Sequence, residues 1–129
     1  MYYAKGILSK SEKAHLARAV NVAKTSTENN LHGAVIVRGG RVLAVGVNSF
    51  RNDPNTVSTP KRESSIHAEI AALKAMGNTA KGATIYVARV NRQGEERMSK
   101  PCTNCMDAIV KAGIKKIIYT VESAITIEE

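Results

Sequence analysis

Apolar residues recur at helical spacing in three segments of the chain. In the first segment, Ser9 and Glu12 have the spacing of a capping box and an apolar stripe follows them, which predicts a helix over about 10–25. Two further stripes predict a helix over about 66–76 and a helix that ends near Gly113. The first helix is amphipathic, and its polar side is rich in lysine and arginine.

Short β-rich runs predict four strands and a short fifth, over 34–37, 42–45, 83–88, 117–121 and 125–127. Gly39-Gly40 separates the first two runs and predicts a hairpin turn. The order of helix, hairpin, helix, strand, helix and strand is typical of an α/β protein whose later strands are parallel and covered by helices. The polar segment 48–65 predicts a long loop, and loops of this length are usually functional or disordered.

The composition predicts one globular domain over 1–129, with 43% hydrophobic residues. A chain of this length buries roughly two-thirds of its unfolded surface, so it needs no metal merely to form a core. It contains no apolar run near the ~20 residues of a membrane span and no signal-peptide pattern, so we expect a cytoplasmic protein without a membrane partner. In a reducing compartment, Cys102 and Cys105 are more readily metal ligands or redox thiols than a structural disulfide.

The charge indicates an anionic partner. The 19 Lys and Arg residues against 11 Asp and Glu residues give a formal net charge of +8. Such an excess is compatible with a mononucleotide or with a polynucleotide, and composition alone does not choose between them.

The residues that could carry chemistry are His67 and Glu69 at the start of the second helix, and Cys102 and Cys105 at the start of the third. One imidazole and two thiolates supply three ligands to a tetrahedral zinc ion and leave the fourth position for water, as in catalytic zinc sites. Glu69 lies two residues beyond His67 and is poorly directed to be a co-ligand, but it could shuttle a proton. Together these groups predict hydrolytic attack on a carbon that bears an amino group.

A C-x-x-C pair alone is also compatible with a redox site, and the three ligands alone with a structural zinc site. The combination of H-A-E with P-C-x-x-C is far more specific, because it matches the signature of zinc deaminases.

The segments HAEIAAL from His67 and PCTNCMDAI from Pro101 resemble the cytidine and deoxycytidylate deaminase superfamily. The resemblance spans nearly the whole chain and implies a three-layer α/β/α sandwich around a four- to five-stranded mixed sheet. It implies that His67, Cys102 and Cys105 bind one zinc ion and that Glu69 is the proton shuttle.

The resemblance also implies substrate contacts. Asn48 would contact the sugar, and Gly33 and Ala34 would form part of the floor under the base. Ala68, between His67 and Glu69, is assigned to the same substrate-binding set. Phe50 is the one phenylalanine and lies near the long loop, so it could stack on a base or anchor the loop to the core.

The run from Cys105 to Tyr119 looks most like the deoxycytidylate branch, so the expected reaction converts the cytosine of a cytidine nucleotide, dCMP above all, to uracil. Lys100, which precedes Pro101 and Cys102, departs from the pattern of that branch. A first alternative is a cytosine or adenine deaminase acting on single-stranded nucleic acid or tRNA. A second is a basic zinc module that binds nucleic acid without chemistry, although such a module has no use for Glu69. The resemblance further implies a homo-oligomer.

Overall fold

The computed structural model of the chain describes residues 2–3, 8–27, 31–50, 65–76 and 80–120. The helices are α1 (Lys10–Ala23), α2 (Ala68–Met76) and α3 (Thr103–Lys111). The strands are β1 (Tyr2–Tyr3), β2 (Leu31–Arg38), β3 (Arg41–Val47), β4 (Ser49–Phe50), β5 (Ser65–Ile66), β6 (Thr84–Val90), β7 (Glu96–Arg97) and β8 (Lys116–Tyr119). The predicted strand over 125–127 and most of the predicted 48–65 loop lie outside the described residues.

The main sheet is mixed. Its strands follow the order β1-β8-β6-β2-β3, and β7 pairs with the end of β6. The pairing of β6 with β8 is parallel, which confirms the prediction for the later strands, whereas β2 is antiparallel to both β3 and β6. The sequence pattern does not predict β1 or β7, because strands of two residues are too short to show alternation.

A second, two-stranded sheet joins the ends of the long loop. Strands β4 and β5 are antiparallel, and Ser49 pairs with Ile66. Asn48 precedes β4 and His67 follows β5, so this pairing brings the backbone of two predicted site residues together across a gap of many residues in sequence.

Helices cover both faces of the main sheet, which confirms the three-layer α/β/α sandwich. Along β2, Val35 and Val37 pack with α1, whereas Ala34 and Ile36 belong to the core under α2 and α3. This alternation assigns each position of β2 to one of two separate cores. Among the described residues, no helix has both the length and the apolar character needed to cross a membrane.

Helix α1 begins at the predicted capping box. The Ser9 hydroxyl accepts a hydrogen bond from the Glu12 backbone N–H at 3.0 Å, and the Glu12 carboxylate accepts one from the Ser9 N–H at 2.9 Å. The Lys116 ammonium of β8 donates to the same carboxylate at 2.7 Å and lowers the pKa of Glu12. The start of α1 is therefore fixed to the sheet by a cap and by an ion pair.

Two glycines allow the helices to approach the sheet closely. A Cβ at Gly33 would lie 2.4 Å from the backbone nitrogen of Ala23 in α1. A Cβ at Gly46 would lie 2.4 Å from both the Ala68 carbonyl oxygen and the Ala72 nitrogen of α2. Because these neighbours are backbone atoms, a side chain at either position would have to push a helix away from the sheet.

We predict that Gly46→Ala destabilises the fold and weakens the metal site together, because it displaces the helix that follows His67. Overpacking of this kind costs about 1–3 kcal/mol of unfolding free energy. Denaturant unfolding and zinc competition with a chelator measure the two effects.

Gly33→Ala is the matched control, since it crowds α1 on the opposite face of the sheet. It should lower the unfolding free energy by a comparable amount and leave zinc affinity nearly unchanged. Equal loss of zinc affinity in both variants would contradict a specific role for the contact between β3 and α2.

Candidate active site

The three predicted metal ligands converge from the starts of two helices. His67 immediately precedes α2, and its carbonyl accepts the helical hydrogen bond from Ala71 at 3.0 Å. Cys102 is the N-cap of α3, and Cys105 lies in the first turn of that helix. The ligand atoms of His67, Cys102 and Cys105 lie within 4.8 Å of one another, and His67 Nδ1 is 3.2 Å from Cys105 Sγ.

This arrangement fits a tetrahedral zinc ion. Ordinary Zn–N and Zn–S bond lengths place nitrogen and sulfur ligands about 3.5–3.8 Å apart around one tetrahedral centre. The distance between His67 Nδ1 and Cys105 Sγ is 3.2 Å, and no two of the three donors are more than 4.8 Å apart, so their separations are close to that range. The donor set leaves one tetrahedral position for a further ligand.

The raised pKa of the Cys105 thiol also points to a cation. Burial, and then the nearby Glu69 and Cys102, raise the pKa of Cys105 far above that of an exposed thiol. A buried thiol that shares its surroundings with a carboxylate stays neutral unless a positive charge lies beside it. A divalent cation supplies that charge and reverses the direction of the shift.

Glu69 lies in the first turn of α2 and is 4% exposed. Its pKa is raised mainly by burial, while its own backbone N–H and the nearby His67 act in the opposite direction. A carboxyl group with a raised pKa exchanges a proton more readily near neutral pH than an exposed one, as a general acid and base requires.

These groups share one cavity of about 340 Å³. This is within the range of about 300–1,000 Å³ that is usual for small-molecule sites. The residues that line it are His32, Asn48, His67, Glu69, Arg89, Met98, Ser99, Lys100 and Cys102.

Asn48 is held at the cavity by the backbone of β2. Its side-chain oxygen accepts a hydrogen bond from the His32 N–H at 3.0 Å, and its own N–H donates to the His32 carbonyl at 3.3 Å. With the oxygen turned towards β2, the contact that Asn48 can offer a ligand is donation from its amide NH₂ group. Its predicted contact with the sugar stays a prediction.

The other predicted substrate contacts do not line this cavity. Gly33 faces α1, and Ala34 and Ala68 are fully buried in the core under α2 and α3. The backbone of Phe50 is in β4, and its side chain lies outside the described part of the structure. Contact of these four residues with a substrate stays a prediction.

His32 is a cavity residue that none of the sequence motifs singles out. The usable signal is alternation along β2, since His32 is two residues from Ala34 and therefore lies on the face of α2 and α3. Its pKa is lowered to about 4, first by burial and then by the positive charges of Arg89 and His67. The ring is therefore neutral at pH 7 and offers one donor and one acceptor.

A buried hydroxyl network holds the segment that leads into Cys102. Ser99 and Thr120 are 5% and 2% exposed, and their hydroxyl oxygens are 2.9 Å apart. The Ser99 hydroxyl also accepts from the Thr120 N–H at 2.9 Å, and the Thr120 hydroxyl donates to the Arg97 carbonyl at 2.7 Å. The chain between β7 and α3 is thus tied to the end of β8, three residues before a predicted ligand.

A cation site formed by two helix N-termini on a mixed sheet, with a buried carboxyl group beside it, is the arrangement of a zinc-dependent deaminase domain. The family model of the cytidine and deoxycytidylate deaminase zinc-binding region matches residues 9–121, and the chain belongs to this family. Zinc is therefore the cofactor, and the His67, Cys102 and Cys105 group is positioned to bind it.

Curated relatives include riboflavin biosynthesis proteins. The chain is 35% identical over 114 residues to RibD of Synechocystis sp., covering 84% of this chain and 26% of RibD. It is 28% identical over 119 residues to the diaminohydroxyphosphoribosylamino-pyrimidine deaminase of Buchnera aphidicola, covering 84% of this chain and 66% of the relative. The chain thus spans about a quarter of the length of the RibD proteins it matches.

Similar solved structures have the same fold. The dCMP deaminase of cyanophage S-TIM5 aligns with a TM-score of 0.66 at 24% identity, covering 88% of this chain and 84% of that one. Acinetobacter baumannii RibD aligns with a TM-score of 0.59 at 26% identity, covering 85% of this chain and 28% of that one.

We predict that zinc binding releases the proton of Cys105, because burial raises the pKa of that thiol and it must become a thiolate to bind the metal. The zinc affinity should therefore fall as the pH is lowered, by about 10-fold per pH unit for that one proton. Calorimetry in buffers of different ionisation enthalpy counts the protons.

Cys105→Ser should reduce zinc affinity strongly, whereas Thr103→Ala, at an exposed position in the same helical turn, should not. Proton release that is independent of Cys105 would contradict its assignment as a ligand.

Proposed function

We propose that this chain is a zinc-dependent hydrolytic deaminase acting on a pyrimidine that carries a phosphorylated sugar. His67, Cys102 and Cys105 are the zinc ligands and Glu69 is the catalytic proton shuttle. The observation that carries the proposal is that the buried Glu69 carboxyl group lines the same cavity as His67 and Cys102, two of the three donors of the cation site.

The reaction replaces an amino group by oxygen. Zinc, when bound, supplies a Lewis acid that lowers the pKa of a coordinated water to about 7. Glu69 accepts a proton from the attacking water and delivers it to a ring nitrogen of the substrate. A carbon–oxygen bond forms, the carbon–nitrogen bond to the amino group breaks, and the leaving nitrogen departs as ammonia after a second proton is delivered.

The remaining cavity residues bind and orient the substrate. Asn48 donates a hydrogen bond from a side chain that β2 fixes in place. His32 is neutral and polar, so it can pair with a heterocycle edge or with a sugar hydroxyl. Lys100 and Arg89 bring positive charge to the same cavity, which favours a substrate with an anionic group.

Two pyrimidine phosphates have the required chemistry. The run from Cys105 to Tyr119, which resembles the deoxycytidylate branch, favours dCMP. The curated relatives favour a diaminohydroxyphosphoribosylaminopyrimidine, a compound that combines exocyclic amino groups with a phosphorylated ribose. Both substrates have an aminated pyrimidine and a sugar phosphate, and this shared chemistry defines the proposed substrate class.

The test is ammonia release by the zinc-loaded protein from a panel of substrates. The panel contains dCMP, CMP, deoxycytidine, diaminohydroxyphosphoribosylaminopyrimidine, guanine and single-stranded oligonucleotides of DNA and RNA. We expect turnover of at least one pyrimidine monophosphate and little turnover of oligonucleotides. Turnover of oligonucleotides alone would support the nucleic-acid deaminase, and no ammonia from any compound would support the non-catalytic zinc module.

We further predict that Glu69→Gln retains the zinc and the fold but lowers kcat by about 10²–10⁴-fold, the usual contribution of a positioned acid and base. Zinc content, the thermal unfolding curve and kcat are measured on the same preparation.

Asp107→Asn is the matched control, since it removes a carboxylate from α3 whose side chain is 70% exposed. It should leave kcat unchanged. A Glu69→Gln enzyme with full activity would exclude Glu69 as the shuttle.

A further inference from the structure

Three basic side chains form a row across the main sheet. In the antiparallel pairing of β2 with β6, His32 is directly opposite Arg89. In the antiparallel pairing of β6 with β7, Arg89 is directly opposite Arg97. Directly opposite residues of antiparallel strands project from the same face, so these three residues form a cross-strand row.

The row is on the face of the sheet that carries the proposed zinc site. Along β6, Ile85 and Val87 belong to the core under α2 and α3, whereas Tyr86 and Ala88 pack with α1. Arg89 continues the first set by alternation. His32 and Arg89 accordingly line the cavity that also contains Glu69.

The electrostatics of the row favour an anion. The like charges of Arg89 and Arg97, directly opposite each other on neighbouring strands, destabilise the sheet, and an anion bound between them offsets this repulsion. The neutral His32 adds a hydrogen-bonding group at the inner end of the row. The charge of Arg89 reaches the cavity, since it is one of the causes that lower the pKa of His32. With Lys100, the charged cavity residues are two cations against the single carboxyl group of Glu69.

We propose that the row of His32, Arg89 and Arg97 binds the terminal phosphate of the substrate. This inference rests on the proposed function, because it assigns the phosphorylated end of the same substrate to the part of the cavity lined by His32 and Arg89, with Arg97 opposite Arg89 on the paired strand.

The geometry favours a phosphate monoester over the backbone of a polynucleotide. A monoester presents three oxygens and close to two negative charges, so it can engage two guanidinium groups at once. A bridging phosphodiester presents two free oxygens and one charge. Arg89 and Arg97 are directly opposite on paired strands. The Cβ atoms of such a pair are about 4.5–5.5 Å apart, so two long side chains on them can reach one phosphate.

The main test compares Arg89→Gln with the wild type on a nucleotide and on its nucleoside, for example dCMP and deoxycytidine. The measured quantity is the ratio of kcat/KM for the nucleotide to kcat/KM for the nucleoside. Loss of a charged hydrogen bond to phosphate should lower this ratio by about 10- to 100-fold, mainly through KM. The ratio for Arg89→Lys should lie between those of the wild type and Arg89→Gln, because lysine keeps the positive charge but loses the bidentate geometry of the guanidinium group.

Arg92→Gln is the matched control, since Arg92 is exposed in the turn between β6 and β7 and does not line the cavity. It should leave the ratio unchanged. If Arg89→Gln does not fold, Arg97→Gln provides the same test from the outer end of the row. An equal effect of Arg92→Gln would mean that diffuse positive charge, and not the row, attracts the nucleotide.

Binding of inorganic phosphate to the zinc-loaded protein separates this proposal from the proposed function. If phosphate binds the wild type but not Arg89→Gln, and the protein deaminates no substrate, the phosphate site is supported and the deaminase is rejected. If the enzyme is active, its ratio of kcat/KM for nucleotide to nucleoside is near one, and Arg89→Gln does not change that ratio, the phosphate site is rejected and the deaminase is kept. Competition by an oligonucleotide without terminal phosphate, as strong as competition by dCMP, would overturn the monoester assignment.

Discussion

The convergence of two helix N-termini on one point is the constraint on which the rest of the structure depends. The donors come from His67 at the start of α2 and from Cys102 and Cys105 at the start of α3, and they meet within 4.8 Å. Such a meeting requires both helices to lie on the same face of the sheet at a fixed height. Gly46 sets that height for α2, because its missing side chain lets the helix backbone approach β3 closely. The hydroxyl pair of Ser99 and Thr120 does the same for the segment leading into α3.

The same convergence creates an electrostatic conflict that a cation resolves. The Cys105 thiol and the Glu69 carboxyl group are buried near each other, and their pKa values rise as a result. Without a positive charge nearby, each of these two groups is shifted towards its neutral form. In the proposed mechanism, a zinc ion held by Cys102 and Cys105 as thiolates would supply that charge and would leave the Glu69 carboxyl group to move protons.

The sequence predicts features that depend on residues close together in the chain better than features that depend on tertiary packing. Residue spacing predicts the capping box at Ser9 and the ligand motifs around His67 and Cys102. The periodicity of strand, helix and strand predicts the parallel pairing of β6 with β8. The role of His32 requires knowing which face of β2 it occupies. Alternation along β2 relates His32 to Ala34, but only the packing of Gly33 against α1 and of Ala34 under α2 and α3 shows which face is which. Strand β7 depends on one long-range pairing, so the row that contains Arg97 has no signature in the linear pattern.

The location of the basic residues sharpens the meaning of the net charge of +8. Most of the excess belongs to residues 1–65, with 10 Lys and Arg against 4 Asp and Glu, yet the cations in the cavity are Arg89 and Lys100 from the second half. Whole-chain charge therefore governs long-range attraction of anions, whereas the cavity is charged by a few residues on β6 and on the segment before α3. That segment runs from Arg97 through Lys100 to Cys102. One short stretch of chain, anchored by Ser99, thus joins the proposed phosphate contact to a proposed zinc ligand and sets the distance between the anionic end of a substrate and its reacting carbon.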